Sequence, residues 1–420
     1  MDRTVAPRAL SRDVSCMPTP RVSQSPTEPS FVQNPYGAYR AFRRHRAVWW
    51  EEFGMWVFPR FADVNAIFRD RRFGREILHV ATRDELGWDP IPAHLAPFYA
   101  FEAHSLLEKE PPDHTRLRSL INRAFVASNV EALRPRITAQ ARALASQLRD
   151  GDDLIEAFCT PIPVTVICEL LGAPVEMGPQ LLDWSHRMVA MYQARRDRQI
   201  EDDAVAATVA FSAYMRELID ERRRAPGQDI LSALIAAEAD GQRLSLDEVV
   251  VTAILLLNAG HEATVHALGN AIWTLAQHRV TVDPETVAGL VEELLRYEPP
   301  LHMFTRYVLE DLEWEGIALR KGEQIGLLIG SANRDERVHQ EPDSFQPTRP
   351  NPRHVSLSAG LHFCIGAPLA RLEMQVALTE LFDVLGPDVP LLAGGFKNTY
   401  HFRGLSELRL GHTPGAKGVS

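Results

Sequence analysis

Apolar residues recur at spacings of three and four positions along most of the chain beyond residue 110, which predicts a series of helices. These helices are expected near 114–125, 131–149, 178–193, 203–224, 228–239, 246–277 and 286–297. The segment 246–277 is apolar on nearly all sides, so we expect a central helix enclosed by protein. At about 1.5 Å per residue, this helix is long enough to cross a whole domain.

Shorter alternating patterns predict strands in two other parts of the chain. Between about 36 and 72 we expect a short helix and a small strand, Met55–Phe58, followed by a loop rich in proline from Trp88 to Pro97. Beyond Pro300 the expected elements are strands near 304–309, 312–315 and 324–328, an irregular stretch 331–358, a last helix near 366–384 and strand-like pieces within 389–410. The fold class is therefore mainly α with a smaller β part.

The domain organisation follows from where prolines and apolar runs lie. Residues 1–30 contain five prolines and lack the apolar core of a signal peptide, so we expect a flexible N-terminal tail. No repeat or Gly/Ser linker interrupts the rest, which predicts one domain over 31–420. The most apolar run, Val249–Leu257, is far shorter than the roughly 20 residues that cross a bilayer. We expect a cytoplasmic protein without a membrane anchor.

Composition excludes several classes of function. Lys and Arg number 45 against 55 Asp and Glu, a net charge of −10 that argues against a general nucleic-acid binder. With 45% hydrophobic and 24% charged residues the chain has the composition of a globular protein. The four cysteines are too scattered for a zinc site or a disulfide framework and indicate a reducing compartment. They are Cys16, Cys159, Cys168 and Cys364.

Cys364 stands in the stretch of the chain with the strongest chemical signal. Gly360 and Gly366 flank it and allow a close approach of the backbone, and Pro368 suits the first turn of a helix. Backbone N–H groups at a helix N-terminus favour a thiolate, which is the form of cysteine that binds metals. We therefore expect Cys364 to be a metal ligand, while the other cysteines are expected to be small buried hydrophobes.

This stretch resembles the cysteine-ligand loop of the cytochrome P-450 family of haem-thiolate monooxygenases, whose pattern is Phe-x-x-Gly-x-x-x-Cys-x-Gly. Gly360, Cys364 and Gly366 match it, and the Leu-Ala-Arg that usually follows is present at 369–371. Leu357 stands where the family has Phe, which implies looser packing beside the thiolate. The resemblance implies the P-450 fold, a single domain enclosing haem b, with Cys364 as the iron ligand.

Further matches extend the resemblance along the chain. Glu293 and Arg296 fit the family's Glu-x-x-Arg, a buried ion pair that holds the segment containing 333–335. The family binds the two haem propionates through a His-x-x-x-Arg helix face and two later positions. In this chain those positions, and so the expected cofactor-binding residues, are His114, Arg118, Arg306 and His362, together with Cys364 and Gly366.

The central helix matches the family's Ala-Gly-x-acid-Thr with one departure. Ala259 and Gly260 are the small pair that lets this helix run close over the haem, where a local widening accommodates oxygen and water, and Glu262 is the acid of the proton relay. Ala263 replaces the alcohol. Thr264 is rotated by about 100° from that position, so we expect its hydroxyl to bond a carbonyl one turn back. Either a substrate hydroxyl or a water then carries the proton, or the enzyme uses peroxide.

The resemblance also implies the substrate pocket and the partners. The regions that contact substrate in the family correspond to Phe98, Tyr99, Met188, Tyr192, Leu256, Ala259, Leu301, Met303, Phe304, His401 and Phe402. They predict an apolar, moderately aromatic pocket for a small molecule. Without its own flavin or iron–sulfur module, the chain would take electrons from NAD(P)H through ferredoxin reductase and ferredoxin, docked near Arg116, Arg353 and Arg371.

Three hypotheses about function follow. The first is a monomeric monooxygenase that uses O2 to hydroxylate or otherwise oxidise a small apolar or biosynthetic substrate. The second is a haem-thiolate enzyme that works by peroxide use, coupling or rearrangement, which would not need the missing alcohol. The third is a haem-binding sensor, which the retained acid Glu262 and a closed pocket disfavour.

Overall fold

The computed structural model describes residues 20–125, 130–192, 196–239 and 241–411. Its α-helices are α1 (Pro29–Gln33), α2 (Tyr36–Phe42), α3 (Phe61–Ile67), α4 (Ala96–Glu102), α5 (Asp113–Ala124), α6 (Arg134–Gln147), α7 (Pro161–Leu171), α8 (Gly178–Val189), α9 (Arg198–Arg224), α10 (Ile230–Ala236), α11 (Leu246–His278), α12 (Val287–Tyr297), α13 (Ile329–Ala332) and α14 (Ala367–Leu385). A π-helical turn, Ile155–Cys159, precedes α7. The predicted helical class is confirmed.

The strands form a six-stranded sheet and three hairpins within the described residues. They are β1 (Arg21–Val22), β2 (Val48–Trp50), β3 (Met55–Phe58), β4 (Phe73–Gly74), β5 (Glu238–Ala239), β6 (Gln242–Arg243), β7 (Met303–Val308), β8 (Leu312–Trp314), β9 (Ile317–Leu319), β10 (Gln324–Leu328), β11 (Leu391–Phe396) and β12 (Leu405–Leu410). The large sheet has the order β1-β2-β3-β10-β7-β4. It joins strands from both ends of the chain, since β3 pairs in parallel with β10 and β10 pairs antiparallel with β7.

Helix α11 is the central helix of the fold. Ser245 caps it by accepting a hydrogen bond from the N–H of Glu248, whose carboxylate accepts one from the N–H of Ser245. Helices α7, α8, α9, α12 and α14 all pack against it. The whole of α11 is long and apolar enough to cross a membrane, although its most apolar run, Val249–Leu257, is too short to indicate this. However, 61% of the most apolar 18-residue window of α11 is buried inside the protein. Its burial is that of a core helix.

Part of the segment 1–30, expected to be a flexible tail, belongs to the fold. Residues 1–19, including Cys16, lie outside the described residues. From residue 20 onward the chain is part of the fold, because β1 pairs with β2 and α1 begins at Pro29. Phe31 of α1 is buried in an aromatic cluster and its ring lies 6.0 Å from that of Trp50. Neither the two-residue strand β1 nor the single buried ring of Phe31 produces a periodic pattern that the sequence prediction could detect.

Several helices were absent from the sequence prediction, and α7 and α4 show why. Helix α7 is apolar on most sides because it lies between α11 and α8, and two prolines stand in its first turn. Uniform burial removes the spacing of three and four on which the prediction depends. Helix α4 begins inside the expected proline-rich loop, with Pro97 in its first turn. In both cases proline starts a helix, which it can do because the first N–H groups need no partner in the helix.

A buried carboxylate holds the irregular segment between β10 and α14. Arg296 donates two hydrogen bonds to Glu293 at 2.6 and 2.8 Å, and Nε of Arg349 contacts both carboxylate oxygens at 3.1 Å. Glu293 and Arg296 are fully buried. The remaining donors of the two guanidinium groups bind the carbonyls of Asn333, Gln340, Glu341, Pro342 and Ser344. We call Glu293, Arg296 and Arg349 the Glu293 triad.

Replacing Glu293 by glutamine should destabilise the protein strongly, because two buried guanidinium groups would lose their counter-charge. We expect Glu293→Gln to lower the free energy of unfolding by about 3–5 kcal/mol, measured by urea denaturation. Glu131→Gln is the matched control, since Glu131 and Arg134 form an exposed pair at the same spacing of three residues. Equal denaturation midpoints for the two variants would contradict the structural role of the triad.

Candidate functional site

The loop that carries Cys364 is shaped by protein contacts on one side. The N–H of Cys364 donates to the carbonyl of Leu357 at 3.0 Å. Gly360 adopts a φ of +67°, and a Cβ at this position would collide with the carbonyl oxygen of Phe68. Only glycine meets both demands. A Cβ on Gly366, in contrast, would lie 3.9 Å from the Cys364 sulfur, an ordinary contact, so the protein alone does not require glycine there.

The Cys364 thiol sits just before the N-terminus of α14. Burial raises the pKa of this thiol above its ordinary value, although N–H groups of Gly366 and Ala367 and the nearby cations Arg118 and Arg371 act in the opposite direction. The expected stabilisation of the thiolate by the helix end is therefore present but is outweighed by desolvation. A directly bound metal cation adds the charge that favours the thiolate.

Two histidines and a glutamate lie beside the cysteine loop. The rings of His114 and His362 are 4.5 Å apart, and Nε2 of His362 is 3.1 Å from the Glu110 carboxylate. Both ring nitrogens of His114 are buried without a hydrogen-bond partner among the described residues. Burial, followed by repulsion from His362, lowers the pKa of His114 to about 4, so this ring is neutral at pH 7.

Two arginines that form no direct ion pair among the described residues bring positive charge to the same place. Arg306 is 3% exposed, and its guanidinium donates to the carbonyl of Thr305 and lies 4.9 Å from the centre of the Phe68 ring. Burial, and then the cation of Arg75, lowers the pKa of Arg306 to about 9. Arg118 is half-buried near Cys364. Within the described ranges neither Arg306 nor Arg118 forms an ion pair.

These groups suit a cofactor with two carboxylates. A buried cation without a partner is unfavourable, and so is a buried imidazole with both nitrogens unsatisfied. Propionates placed here would accept hydrogen bonds from all of them, while the Cys364 sulfur would face the iron. The residues present therefore fit haem. We call His114, Arg118, Arg306, His362 and Cys364 the cysteine site.

The Ala259 side of α11 faces open space although α11 is the core helix. Ala259 is exposed and Ala263 half-buried, which leaves a row of small side chains at a spacing of one turn. Gly260 faces elsewhere, because a Cβ there would lie 2.9 Å from Ile167 of α7. Its small size serves the packing of two helices. The expected local widening is not present, since α11 is α-helical from end to end.

The polar residues of this stretch divide between two faces. Thr264 is buried and its hydroxyl donates to the carbonyl of Gly260 at 2.7 Å, the bond expected from its rotation away from Ala263. The Glu262 carboxylate lies 3.5 Å from Nε2 of His266, one turn further along. Burial acts to raise the pKa of Glu262, but His266, followed by His186, outweighs it and lowers the pKa below its ordinary value.

Strand β7 separates two residues that were both expected in the pocket. The Phe304 ring lies 6.1 Å from that of Phe68, on the side of the strand that carries Arg306. Met303 points the other way and is 1% exposed in an apolar cluster with Tyr39 and other aromatic residues. Neighbouring residues of a strand face opposite sides of the sheet. Met303 is therefore a core residue, which corrects its placement in the pocket.

Three aromatic residues expected in the pocket meet where α4 approaches the segment after α8. The rings of Phe98 and Tyr192 are 6.3 Å apart, those of Phe98 and Tyr99 are 5.7 Å apart, and Phe98 itself is buried against Leu95. The Tyr192 hydroxyl donates to the carboxylate of Glu102 at 2.8 Å. Burial raises the pKa of Glu102 to about 7. This contact joins two segments that are far apart in the sequence.

The remaining pocket candidates lie in two places. Met188 is 2% exposed within a hydrophobic cluster against which Leu256 packs. Leu301 forms an isolated bridge with Phe402. The carbonyl of His401 accepts a hydrogen bond from the chain next to Leu301 at 3.0 Å. The segments around residues 301 and 402 are thus brought together, close to α11.

Of the arginines expected to attract a redox partner, two are engaged within the protein. Arg116 forms an ion pair with Glu248. Arg371 donates to Glu292 at 2.6 and 2.8 Å, and despite burial Arg371 and His354 lower the pKa of Glu292 to about 2. Arg353 is exposed, with its guanidinium 5.1 Å from the centre of the Phe61 ring.

Sequence reasoning missed three residues of this region. Arg349 completes the Glu293 triad from a distant part of the chain, and no spacing rule could have identified it. Glu110 binds His362 and the N–H of Arg75, and its place just before Pro111-Pro112 was the available signal. His266 contacts Glu262 at a spacing of four residues, a pattern that was visible in the sequence.

Comparisons with known proteins agree on one family. The model of the family described as Cytochrome P450 matches residues 76–283 and 286–384. A vitamin D(3) 25-hydroxylase of Pseudonocardia autotrophica is 36% identical over 395 residues, covering 90% of this chain and 94% of that protein. A nocardicin C N-oxygenase of Nocardia uniformis subsp. tsuyamanensis is 37% identical over 336 residues, covering 78% of this chain and 81% of that protein.

A solved structure agrees with the sequence relatives. The cytochrome P450 PksS of the bacillaene polyketide synthase of Bacillus subtilis 168 superposes with a TM-score of 0.83 at 32% identity. The superposition covers 93% of this chain and all of that one, 100%. The folds therefore correspond from end to end of the described region.

Cys364→His should change the axial ligand of the iron. We expect the variant to lose the red-shifted ferrous–CO Soret band that thiolate ligation produces, recorded by difference spectroscopy of the reduced protein. Cys168→Ser is the control, because Cys168 is a buried thiol outside the cysteine site and should keep the band. A Cys364→His protein with the unchanged band would contradict the assignment of the ligand.

Loss of either arginine should weaken haem retention without harming the apoprotein. A charge-assisted hydrogen bond to a buried carboxylate is worth about 1.5–3 kcal/mol, so Arg118→Ala or Arg306→Met should release haem roughly ten- to a hundredfold more readily. Haem transfer to apomyoglobin measures this.

Arg306→Lys and Arg353→Met serve as controls, since the first keeps the charge and the second alters an exposed arginine. Removing the buried charge of Arg306 should not lower the melting temperature of the apoprotein. Unchanged haem retention in both the Arg118 and the Arg306 variants would rule out the propionate arrangement.

Proposed function

This chain is a member of the cytochrome P450 family, and we propose that its catalytic centre is built on the cysteine site and the Ala259 face of α11. It is a haem-thiolate monooxygenase with haem b as its cofactor. The observation that carries the proposed site is the pair of arginines without an ion-pair partner among the described residues, beside His114 with its two unsatisfied ring nitrogens and Cys364.

The residues of the cysteine site would divide the work of holding the haem. Arg118 and Arg306 supply the charge that the propionates require, and His114 and His362 supply hydrogen bonds. Cys364 supplies the thiolate, with N–H groups of α14 directed at the sulfur. When bound, the haem activates O2 with electrons from a separate donor, so that one oxygen atom enters the substrate.

On the opposite side, α11 would shape the space for oxygen and substrate. Ala259 and Ala263 leave a shallow depression along the helix, and Glu262 provides a carboxylate that can hold a proton beside it. Thr264 does not contribute its hydroxyl, because it is committed to the Gly260 carbonyl. Proton delivery therefore depends on Glu262 together with a water or a hydroxyl of the substrate.

The substrate we propose is a small, largely apolar biosynthetic molecule. Leu301 and Phe402 supply apolar contacts near α11, and Phe304 supplies one beside Phe68. The pair Tyr192–Glu102 lies where a mobile ligand could enter between α4 and the segment after α8. Two of the relatives are, by their names, a vitamin D(3) 25-hydroxylase and a nocardicin C N-oxygenase, so both act on small molecules. Met303 and Met188 do not line this pocket, because both are buried in hydrophobic clusters.

For electrons we propose a ferredoxin with its reductase, acting in the cytoplasm. A surface cavity of about 410 Å³ adjoins the cysteine loop, and its lining includes Arg69, His354, Gly360 and Phe363. Arg353 stands exposed on the same segment as His354. A small acidic protein placed here would approach Cys364 along a short path.

One observation favours a second candidate function. Ala263 lacks the hydroxyl, and an enzyme that uses peroxide, couples substrates or rearranges them has less need for one. A turnover assay separates the candidates. The purified protein is first screened for compounds that shift its Soret band, and each is then tested with ferredoxin, reductase, NADPH and O2 or with hydrogen peroxide alone. Product formed only with the electron-transfer chain supports the monooxygenase.

Ala263→Thr should raise the fraction of NADPH electrons that end in product rather than in hydrogen peroxide. The gain should be a few-fold, because a positioned proton donor contributes about 10²–10⁴-fold at most and Glu262 already supplies part of this. Coupling and the substrate dissociation constant are measured side by side. A loss of both coupling and affinity would instead indicate that the substrate brings its own hydroxyl, and no change in either would exclude Ala263 from oxygen activation.

A further inference from the structure

Helix α11 carries a buried imidazole on the same face as its alanine row. Seven residues complete about two turns of an α-helix, so His266 points in nearly the same direction as Ala259. Ala263 lies between them at a spacing of three residues from His266, which makes the two side chains neighbours. His266 is thus the polar side chain next to Ala263 on this face of α11, where Ala263 lacks the hydroxyl.

The imidazole is held in a defined position. His266 is 3% exposed, the Phe402 ring lies 6.1 Å from it, and the backbone at Gly404 is so close that a Cβ there would collide with Nδ1. Nδ1 has no hydrogen-bond partner within the described part of the chain. Among the described residues, the polar contact of the ring is that of Nε2 with the Glu262 carboxylate at 3.5 Å. The C-terminal loop therefore aims Nε2 at Glu262.

We propose that His266 holds and restores the proton that Glu262 delivers beside Ala263, so that the Glu262–His266 pair replaces the missing hydroxyl. This inference rests on the proposed function of α11. Because His266 acts through Glu262 and touches neither substrate nor cofactor, it is a positioning residue. Neither its contact with Glu262 nor its place on the Ala259 face was expected from the resemblance.

The proton count is simple. Protonated His266 gives the proton on Nε2 to a Glu262 oxygen, which leaves a neutral imidazole and a neutral carboxylic acid. Glu262 passes this proton to a water beside Ala263 and becomes a carboxylate again. A new proton from solvent then returns to Nε2 of His266 past the Glu262 side chain, which is 28% exposed whereas that of His266 is 3% exposed. A shorter contact than 3.5 Å is needed at the moment of transfer, and such contacts commonly tighten when substrate binds.

Other charged groups around the pair keep Glu262 ionised between deliveries. His186 reaches Glu262 from α8 and Lys397 stands on the loop after β11. His261 lies on the same helix but is neutral at pH 7, because burial lowers its pKa to about 4. The His186 and His261 rings are 5.8 Å apart, and His186 is exposed while His261 is buried. Apart from Glu262 itself, each of these facing groups is a cation or becomes one on protonation.

The variant His266→Gln tests the proposal, because glutamine can still donate a hydrogen bond to Glu262 but cannot carry a proton. We expect coupled product formation to fall by at least about tenfold, within the range that a positioned acid contributes. The solvent isotope effect on turnover should rise, since proton delivery becomes limiting, and haem content and substrate affinity should stay unchanged. His261→Gln is the matched control, an equally buried histidine on another face of α11.

A rescue experiment separates proton delivery from mere packing. In the double variant Ala263→Thr/His266→Gln the new hydroxyl should restore most of the lost coupling, and this gain should exceed that of Ala263→Thr alone. A packing defect caused by His266→Gln would not be repaired by a hydroxyl one turn away. Absence of rescue, or wild-type coupling and isotope effect in His266→Gln, would overturn the proposal.

A second readout needs no turnover. In the substrate-free, diamagnetic ferrous–CO protein labelled with ¹³C at glutamate side chains, Glu262→Gln identifies the Glu262 signal, and its pH titration reports the carboxyl pKa. This pKa should move upward in His266→Gln and remain in place in His261→Gln. An unmoved pKa would overturn the pairing. Failure of the proposed function itself would appear differently, as no product from the unaltered enzyme.

Discussion

The structure depends on the neutralisation of one buried carboxylate. Glu293 is taken fully out of water, and only two guanidinium groups with many further hydrogen bonds make that tolerable. Those further bonds go to backbone carbonyls of a segment without helices or strands. The two arginines that neutralise Glu293 thereby supply this segment with the hydrogen bonds that regular secondary structure would otherwise provide. The segment leads directly into the loop of Cys364. The position of the sulfur is thus set by a charge arrangement on α12.

The cysteine site shows the opposite condition, in which charges are left without partners. Arg306 and Arg118 form no ion pair within the described chain, and His114 lacks any acceptor or donor there. Burying these unpartnered groups lowers the stability of the folded protein, and a bound ligand with two carboxylates offsets this loss by supplying the missing partners. Binding of the cofactor and stability of the fold are for this reason coupled.

The sequence was informative where a local pattern or a family pattern exists. Helix α11, the cysteine loop and the bond of Thr264 could be predicted because each depends on spacing along one element. Long-range partners could not, and Arg349 is the clearest case, because its contact with Glu293 depends on the path of an irregular segment. The misplaced Met303 has a different cause, since its side of the sheet is set by the register of β7 with β10.

Gly360 has a consequence for the order in which the protein can be made. Its backbone lies against the carbonyl of Phe68, so the loop around Cys364 is moulded on a turn of chain from the first part of the molecule. The sulfur and Arg306 belong to the last part, whereas His114 and Arg118 belong to the first. A nascent chain that has not yet reached Arg306 therefore holds two of the five residues of the cysteine site. All five residues can hold the cofactor together only once the chain has been synthesised through the loop of Cys364 and this loop has packed against Phe68.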